Sequence, residues 1–208
     1  MHAAARCAWP VHPLGEDSRR RVCTRIASSA ALVLLKAEGA PAQRNEQELG
    51  LELERVEDKR SGFALELPRT YRRKNKPGSS ALWASPLSKY DQVGVSLEPV
   101  KINTLSEFGS IDDVSDRLLK SEKQKSSTLD VTIDKQASTF SVSGAEMYIL
   151  LYQLKNIYGR KEVATTASVS NGRLYLLNAQ SYLSGDSSAD SRKAELLERI
   201  ARSFDIIK

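Results

Sequence analysis

Residues 162–169 and 173–179 are two apolar-rich runs separated only by Ser170-Asn171-Gly172. Asn-Gly is among the few dipeptides in which both residues tolerate positive φ, and a two-residue hairpin turn demands that. The pair therefore commits this part of the chain to an antiparallel hairpin. Just upstream, residues 145–154 are almost continuously apolar and include Tyr148, Ile149, Leu150, Leu151 and Tyr152. A strand with one wet face would alternate, so an unbroken run predicts a central strand covered on both faces.

The remaining elements fit around that hairpin. Gly62-Phe63-Ala64-Leu65-Glu66-Leu67 alternates with period two and stops at Pro68, predicting a strand. Ala81-Leu82-Trp83-Ala84 predicts a short strand, and Trp83 is read as a core residue. Residues 92–98 alternate through Val93, Val95 and Leu97 up to Pro99. Leu129, Val131 and Ile133 predict another strand before a Ser-rich bend. Ser110-Ile111-Asp112-Asp113 has the form of a helix start, with a hydroxyl to cap free N–H groups and acids in the first turn. Val114 and Leu118 then share a face, and the helix runs to about Lys125. Ala194, Leu197, Ile200, Ala201 and Phe204 define one face of a second helix over residues 191–204. Six or seven strands with two helices predict an α+β domain, a largely antiparallel sheet flanked by helices.

The N-terminal segment, residues 1–42, reads as a targeting sequence to be removed. Ser18-Arg19-Arg20-Arg21-Val22 resembles a twin-arginine signal. An apolar stretch follows at residues 26–35, and Ala40-Pro41-Ala42 supplies an A-x-A processing site at Ala40 and Ala42. Residues 43–61 are charged and mixed, and read as a linker or short helix leading into a domain over 62–208.

This division decides which chemistry is open to the chain. Both histidines, His2 and His12, and both cysteines, Cys7 and Cys23, lie in residues 1–42. Without that segment there is no disulfide, no thiolate, no Cys/His zinc site and no triad with a histidine base. No P-loop, G-x-G-x-x-G, EF-hand or G-x-S-x-G pattern is present in the remainder. The reading is of a non-enzymatic protein; a carboxylate- or Tyr-based enzyme is the least favoured alternative. Charge divides in the same way. Six basic and three acidic residues fall in 1–42, which leaves 25 against 23 of the whole-chain 31 and 26. A nucleic-acid partner is therefore not expected.

Two clusters merit a role. Arg69, Arg72, Arg73, Lys74 and Lys76 concentrate positive charge in what reads as a loop over residues 69–78, with Tyr71 among them. They are the candidate docking residues for an acidic partner surface. Asp112, Asp113 and Asp116 are weak metal candidates, with compensation of the helix dipole as the favoured role. Asp186 and Asp190 precede the last helix and are read as caps.

The ordered set Gly62-Phe63, Leu67-Pro68, Val93-Gly94-Val95-Ser96-Leu97-Glu98-Pro99 and Leu105-Ser106-Glu107-Phe108-Gly109-Ser110 resembles the PsbP family. The likeness continues through Gly144, Tyr148, Val169-Ser170-Asn171-Gly172-Arg173-Leu174-Tyr175, Asn178-Ala179-Gln180 and Ser203-Phe204. PsbP is the extrinsic lumenal protein of the photosystem II oxygen-evolving complex. The resemblance implies an antiparallel sheet with helices on both faces. It also implies residence in the chloroplast thylakoid lumen, peripheral to the membrane. The implied partners are lumenal subunits of photosystem II or another thylakoid complex. The implied role is retention of calcium and chloride, or photosystem assembly and stability, with calcium as the one ion to consider and no tightly bound cofactor. A general lumenal binding module for another protein or a nucleic-acid partner, acting through the basic loop, is the alternative. Gly159-Arg160-Lys161-Glu162 stands where the family often has Gly-Lys-His, and Tyr71 stands near the place of a usual Trp. Gly185-Asp186-Ser187-Ser188 replaces an aromatic-rich segment. These departures point to a PsbP-like or PsbP-domain paralogue.

Overall fold

A computed structural model describes residues 52–76 and 79–207. The targeting segment, with Ala40 and Ala42, lies outside the described residues. In chain order the elements are β1 (Leu53–Asp58), β2 (Phe63–Pro68), β3 (Arg72–Lys74), β4 (Ala81–Ala84) and β5 (Gln92–Pro99). Then come α1 (Ile111–Lys123), β6 (Thr128–Phe140), β7 (Glu146–Asn156), β8 (Gly159–Ser170), β9 (Arg173–Tyr182), α2 (Ser187–Ser203) and β10 (Asp205–Ile206).

The Asn-Gly turn forms as its sequence requires. Asn171 has φ 51° and Gly172 φ 67°, and Ser170 pairs with Arg173 across the turn. The hairpin of β8 and β9 seeds an antiparallel sheet in the order β3-β4-β5-β9-β8-β7-β6. Every step of the register is antiparallel.

Strand β7 shows why the sheet needs cover on both sides. Met147, Ile149 and Leu151 point into one core with Leu177 of β9, Leu197 and Ile200 of α2, and Phe63 and Leu65 of β2. Tyr148, Tyr152 and Leu154 point the other way, the first against Leu105 and Val114, the others against Leu118 and Leu119 of α1. Period-two geometry thus splits one apolar run between two cores. The α2 layer is pinned by polar contacts. Thr166 Oγ1 donates to the Ala201 carbonyl at 2.9 Å, and the Glu66 N–H donates to Ser203 Oγ at 2.8 Å. On the opposite face, the Tyr148 hydroxyl donates to the Gly109 carbonyl at 3.2 Å, holding the entry to α1.

Three predicted features differ. Residues 43–61, read as a linker or short helix, include strand β1, which pairs with β2 from Leu53↔Pro68 to Asp58↔Phe63. Its charged sequence hid it, because it is an edge strand held by backbone hydrogen bonds and anchored to the core chiefly through Val56. Phe204, placed in the last helix, instead caps α2 with extended backbone, and Asp205-Ile206 add to β2. β1, β2 and β10 form a three-stranded sheet that the sequence did not announce. The basic loop is partly strand: Arg72–Lys74 form β3, paired with β4 at the edge of the large sheet.

Candidate functional site

An edge strand exposes unpaired backbone groups, and charged side chains keep other strands from adding to it. β3 consists only of charged residues. Alternation along it sorts the candidate docking residues into two classes. Arg73 lies opposite Trp83 and, though itself exposed, carries its side chain on the face of Trp83. Its guanidinium sits 5.7 Å from the Trp83 ring centroid, and Nη2 lies 2.9 Å from Asp58 Oδ2. Arg73 is therefore a structural link between the two sheets. Arg69 is drawn into an ion pair with Glu52 at 3.1 Å. Arg72 and Lys74 point to the opposite side of the strand from Arg73 and are exposed. Arg72 Nη1 donates to the Arg69 carbonyl at 2.8 Å, which orients the guanidinium without neutralising it. Lys76 is exposed at the end of the segment. Residues 73–76 and 79–81 enclose a half-open depression of about 260 Å³.

Asp58 is the partner that the sequence reading missed. It is 8% exposed, and its Oδ1 accepts from the Ser61 N–H at 3.0 Å in the β1–β2 turn. Burial opposes its charge, yet the Ser61 N–H and the Arg73 guanidinium outweigh burial and hold its carboxyl below the usual range. The signal was legible as Asp-Lys-Arg-Ser-Gly at a turn, but only tertiary pairing could connect it to Arg73.

Two of the three aspartates of α1 are taken up by hydrogen bonds of their own. Asp113 Oδ2 accepts from the Ser110 N–H at 3.0 Å and from Ser110 Oγ at 2.7 Å, completing a capping box. Asp112 accepts from the Gln136 amide across to β6, and Asp116 is exposed one turn on. Among the described residues no three His, Cys, Asp or Glu side chains come together to hold a metal. Asp186 caps α2, accepting from Ser188 N–H at 2.9 Å, and Asp190 accepts from Gly185 N–H at 2.9 Å. Trp83 is core, 5% exposed and edge-on to Phe63.

One buried acid also escaped the sequence reading. Glu162, next to the turn that opens β8, is 3% exposed and on the α2 face. Burial, with Asp134 beside it, raises its carboxyl to about 7. Asp134 reaches it because β6 has a bulge between Ile133 and Lys135.

A charged edge strand, a capped-helix entry and the Asn-Gly hairpin now stand on one framework, and the PsbP family pattern matches residues 51–206 of it. The chain belongs to the PsbP family. Its relative PsbP domain-containing protein 2, chloroplastic, of Arabidopsis thaliana is 34% identical over 162 residues, covering 75% of this chain and 67% of that protein. The solution structure of cyanobacterial PsbP (CyanoP) from Synechocystis sp. PCC 6803 superposes with a TM-score of 0.58. It is 15% identical and covers 81% of this chain and 98% of that one, a likeness of fold. The chain is a PsbP-domain paralogue, and the family's α+β sheet is the frame that carries β3 at its edge.

Proposed function

We propose that this protein is a non-enzymatic auxiliary subunit of a photosystem, held on the lumenal side of the chloroplast thylakoid membrane. PsbP membership across residues 51–206 supports the photosystem, and the chloroplast relative supports the compartment. The observation that carries the mode of action is the exposed edge strand, where Arg72 and Lys74 project away from the core. In this reading they meet an acidic patch on a lumenal subunit of photosystem II or another thylakoid complex, and Arg69 and Lys76 extend the field. Attraction between exposed charges raises the association rate more than the affinity and is screened by salt. Any part in retaining calcium or chloride is exerted on the partner's ion site, because Asp112 and Asp113 are taken up by their own hydrogen bonds. Delivery uses the segment ending at Ala42, so the protein recovered from cells begins at Gln43, which N-terminal sequencing reads.

Salt washing of thylakoid membranes tests the docking strand. Wild-type protein should come off as the Debye length falls from about 10 Å to about 3 Å. The double variant Arg72→Gln/Lys74→Gln should come off at clearly lower salt with unchanged melting. Identical release of the two proteins would move the docking surface elsewhere.

A further inference from the structure

The end of the large sheet next to β3 leaves large apolar side chains in water. Leu87 is 87% exposed and Tyr90 45%, both in the β4–β5 loop. Ile157 is 60% and Tyr158 64% exposed in the β7–β8 turn, and Leu129 is 61% exposed at the start of β6. The registers Gln92↔Gln180, Lys161↔Tyr182, Asn156↔Gly159 and Thr128↔Asn156 bring all five to the same end of the sheet. Four strand spacings separate β5 from β6 in this order, so the apolar tips span about 19 Å.

These tips are held in place. The Leu87 N–H donates to Ser85 Oγ at 3.2 Å, and the Tyr90 N–H donates to Ser88 Oγ at 3.3 Å. The Tyr90 ring packs 4.6 Å from that of Tyr182. In the second turn the Tyr158 N–H donates to Asn156 Oδ1 at 2.9 Å.

Charge indicates what they meet. Lys155 and Arg160 are opposite each other one pair before the end of the β7–β8 ladder, and both are exposed. Like charges directly opposite on a ladder destabilise it, and an anionic surface beyond the turn would relieve them. Lys89 adds a third exposed cation, its Nζ 4.9 Å from the Tyr90 ring centroid. The nearby acids keep their charge, but hydrogen bonds hold them against the protein. Asp91 Oδ1 accepts from Ser181 Oγ at 2.7 Å, Asp130 Oδ1 accepts from the Val131 N–H at 2.9 Å, and Asp186 caps α2. The apolar groups stand on separate turns rather than on one flat patch. A fluid lipid surface accepts such tips one by one, whereas a protein would need a matching pocket for each. Tyrosine, apolar in its ring and polar at its tip, suits the headgroup boundary.

We propose that this end of the sheet is a membrane-contact face for anionic lipid: the five apolar tips enter the headgroup boundary, and Lys89, Lys155 and Arg160 pair with lipid charges. The face acts independently of the docking strand, and protein-free vesicles separate the two. The full chain is titrated with phosphatidylglycerol-containing vesicles and with purely zwitterionic ones. The apolar stretch at residues 26–35 adds the same background to every variant. Leu87→Ser/Ile157→Ser/Tyr158→Ser should weaken partitioning to anionic vesicles by about tenfold or more with unchanged melting. Tyr158→Trp should add fluorescence that brominated lipid quenches, above the background of the wild-type tryptophans. Equal partitioning of wild type and triple variant, or no quenching at position 158, would overturn the assignment. A triple variant that binds vesicles normally but leaves native membranes early would overturn it in favour of a protein partner.

Discussion

Among the described residues, Glu162→Gln isolates the one buried acid whose carboxyl is raised. Burial and the facing Asp134 raise the Glu162 carboxyl from 4.5 to about 7, with Asp190 adding to the effect and Lys135 opposing it. A group whose folded-state value is raised stabilises the fold fully below its unfolded value. That contribution is lost as pH rises through the folded value. The window here runs from pH 4.5 to about 7. The full swing is about 3 kcal/mol at ~1.4 kcal/mol per pH unit, of which about 2 kcal/mol falls between pH 5 and 8. Lys135 does not cancel it, because its ammonium is held by Glu198 at 2.9 Å. The depressed carboxyls, such as Asp58, Asp205 and Glu198, lose their stabilisation only at lower pH and act in the opposite direction. Urea unfolding at pH 5, 6.5 and 8 reads the difference. Wild type should lose about 2 kcal/mol over that range, or roughly 4–8 °C in melting temperature for a domain this size. The variant should be nearly flat and should exceed wild type at pH 8. Parallel pH profiles for the two proteins would refute the assignment of this slope to Glu162.

Two further substitutions test the frame. Gly172→Val places a β-branched residue at φ 67°, with only an ordinary 3.5 Å approach to the Val100 carbonyl oxygen. The cost is therefore backbone strain, on the order of 1 kcal/mol or more, and an unchanged melting temperature would contradict it. Arg73→Gln leaves Asp58 without its counter-ion and strips the cation from Trp83. It should cost about 1–2 kcal/mol in urea unfolding, whereas Arg72→Gln should stay within about 0.5 kcal/mol; equal costs would refute the division of roles within β3.

Local sequence decided the features that depend on local physics. Asn171-Gly172 has almost no other low-strain use between two apolar runs, and Ser110 with Asp113 satisfies a helix N-terminus within four residues. The unbroken apolar run at residues 145–154 required cover on both faces, which made a layered α+β domain the natural solution. The family motifs were readable for the same reason: Phe108-Gly109-Ser110 and Asn171-Gly172-Arg173 are short segments whose geometry is set by neighbouring residues. What escaped were features formed by residues far apart in the chain. β1 and β3 have too little apolar alternation to declare themselves, and become strands only because β2 and β4 offer backbone partners. Arg73 reads like its neighbours Arg72 and Lys74 until alternation on the folded edge turns it toward Asp58, 15 residues away. Glu162 reads as one more charge beside Arg160 and Lys161 until the fold buries it and the β6 bulge carries Asp134 over to it. Composition supplied the charges, but which remain available to a partner, which tie the sheets together and which must be protonated to be buried was decided by the register of the sheet and the layers packed on it.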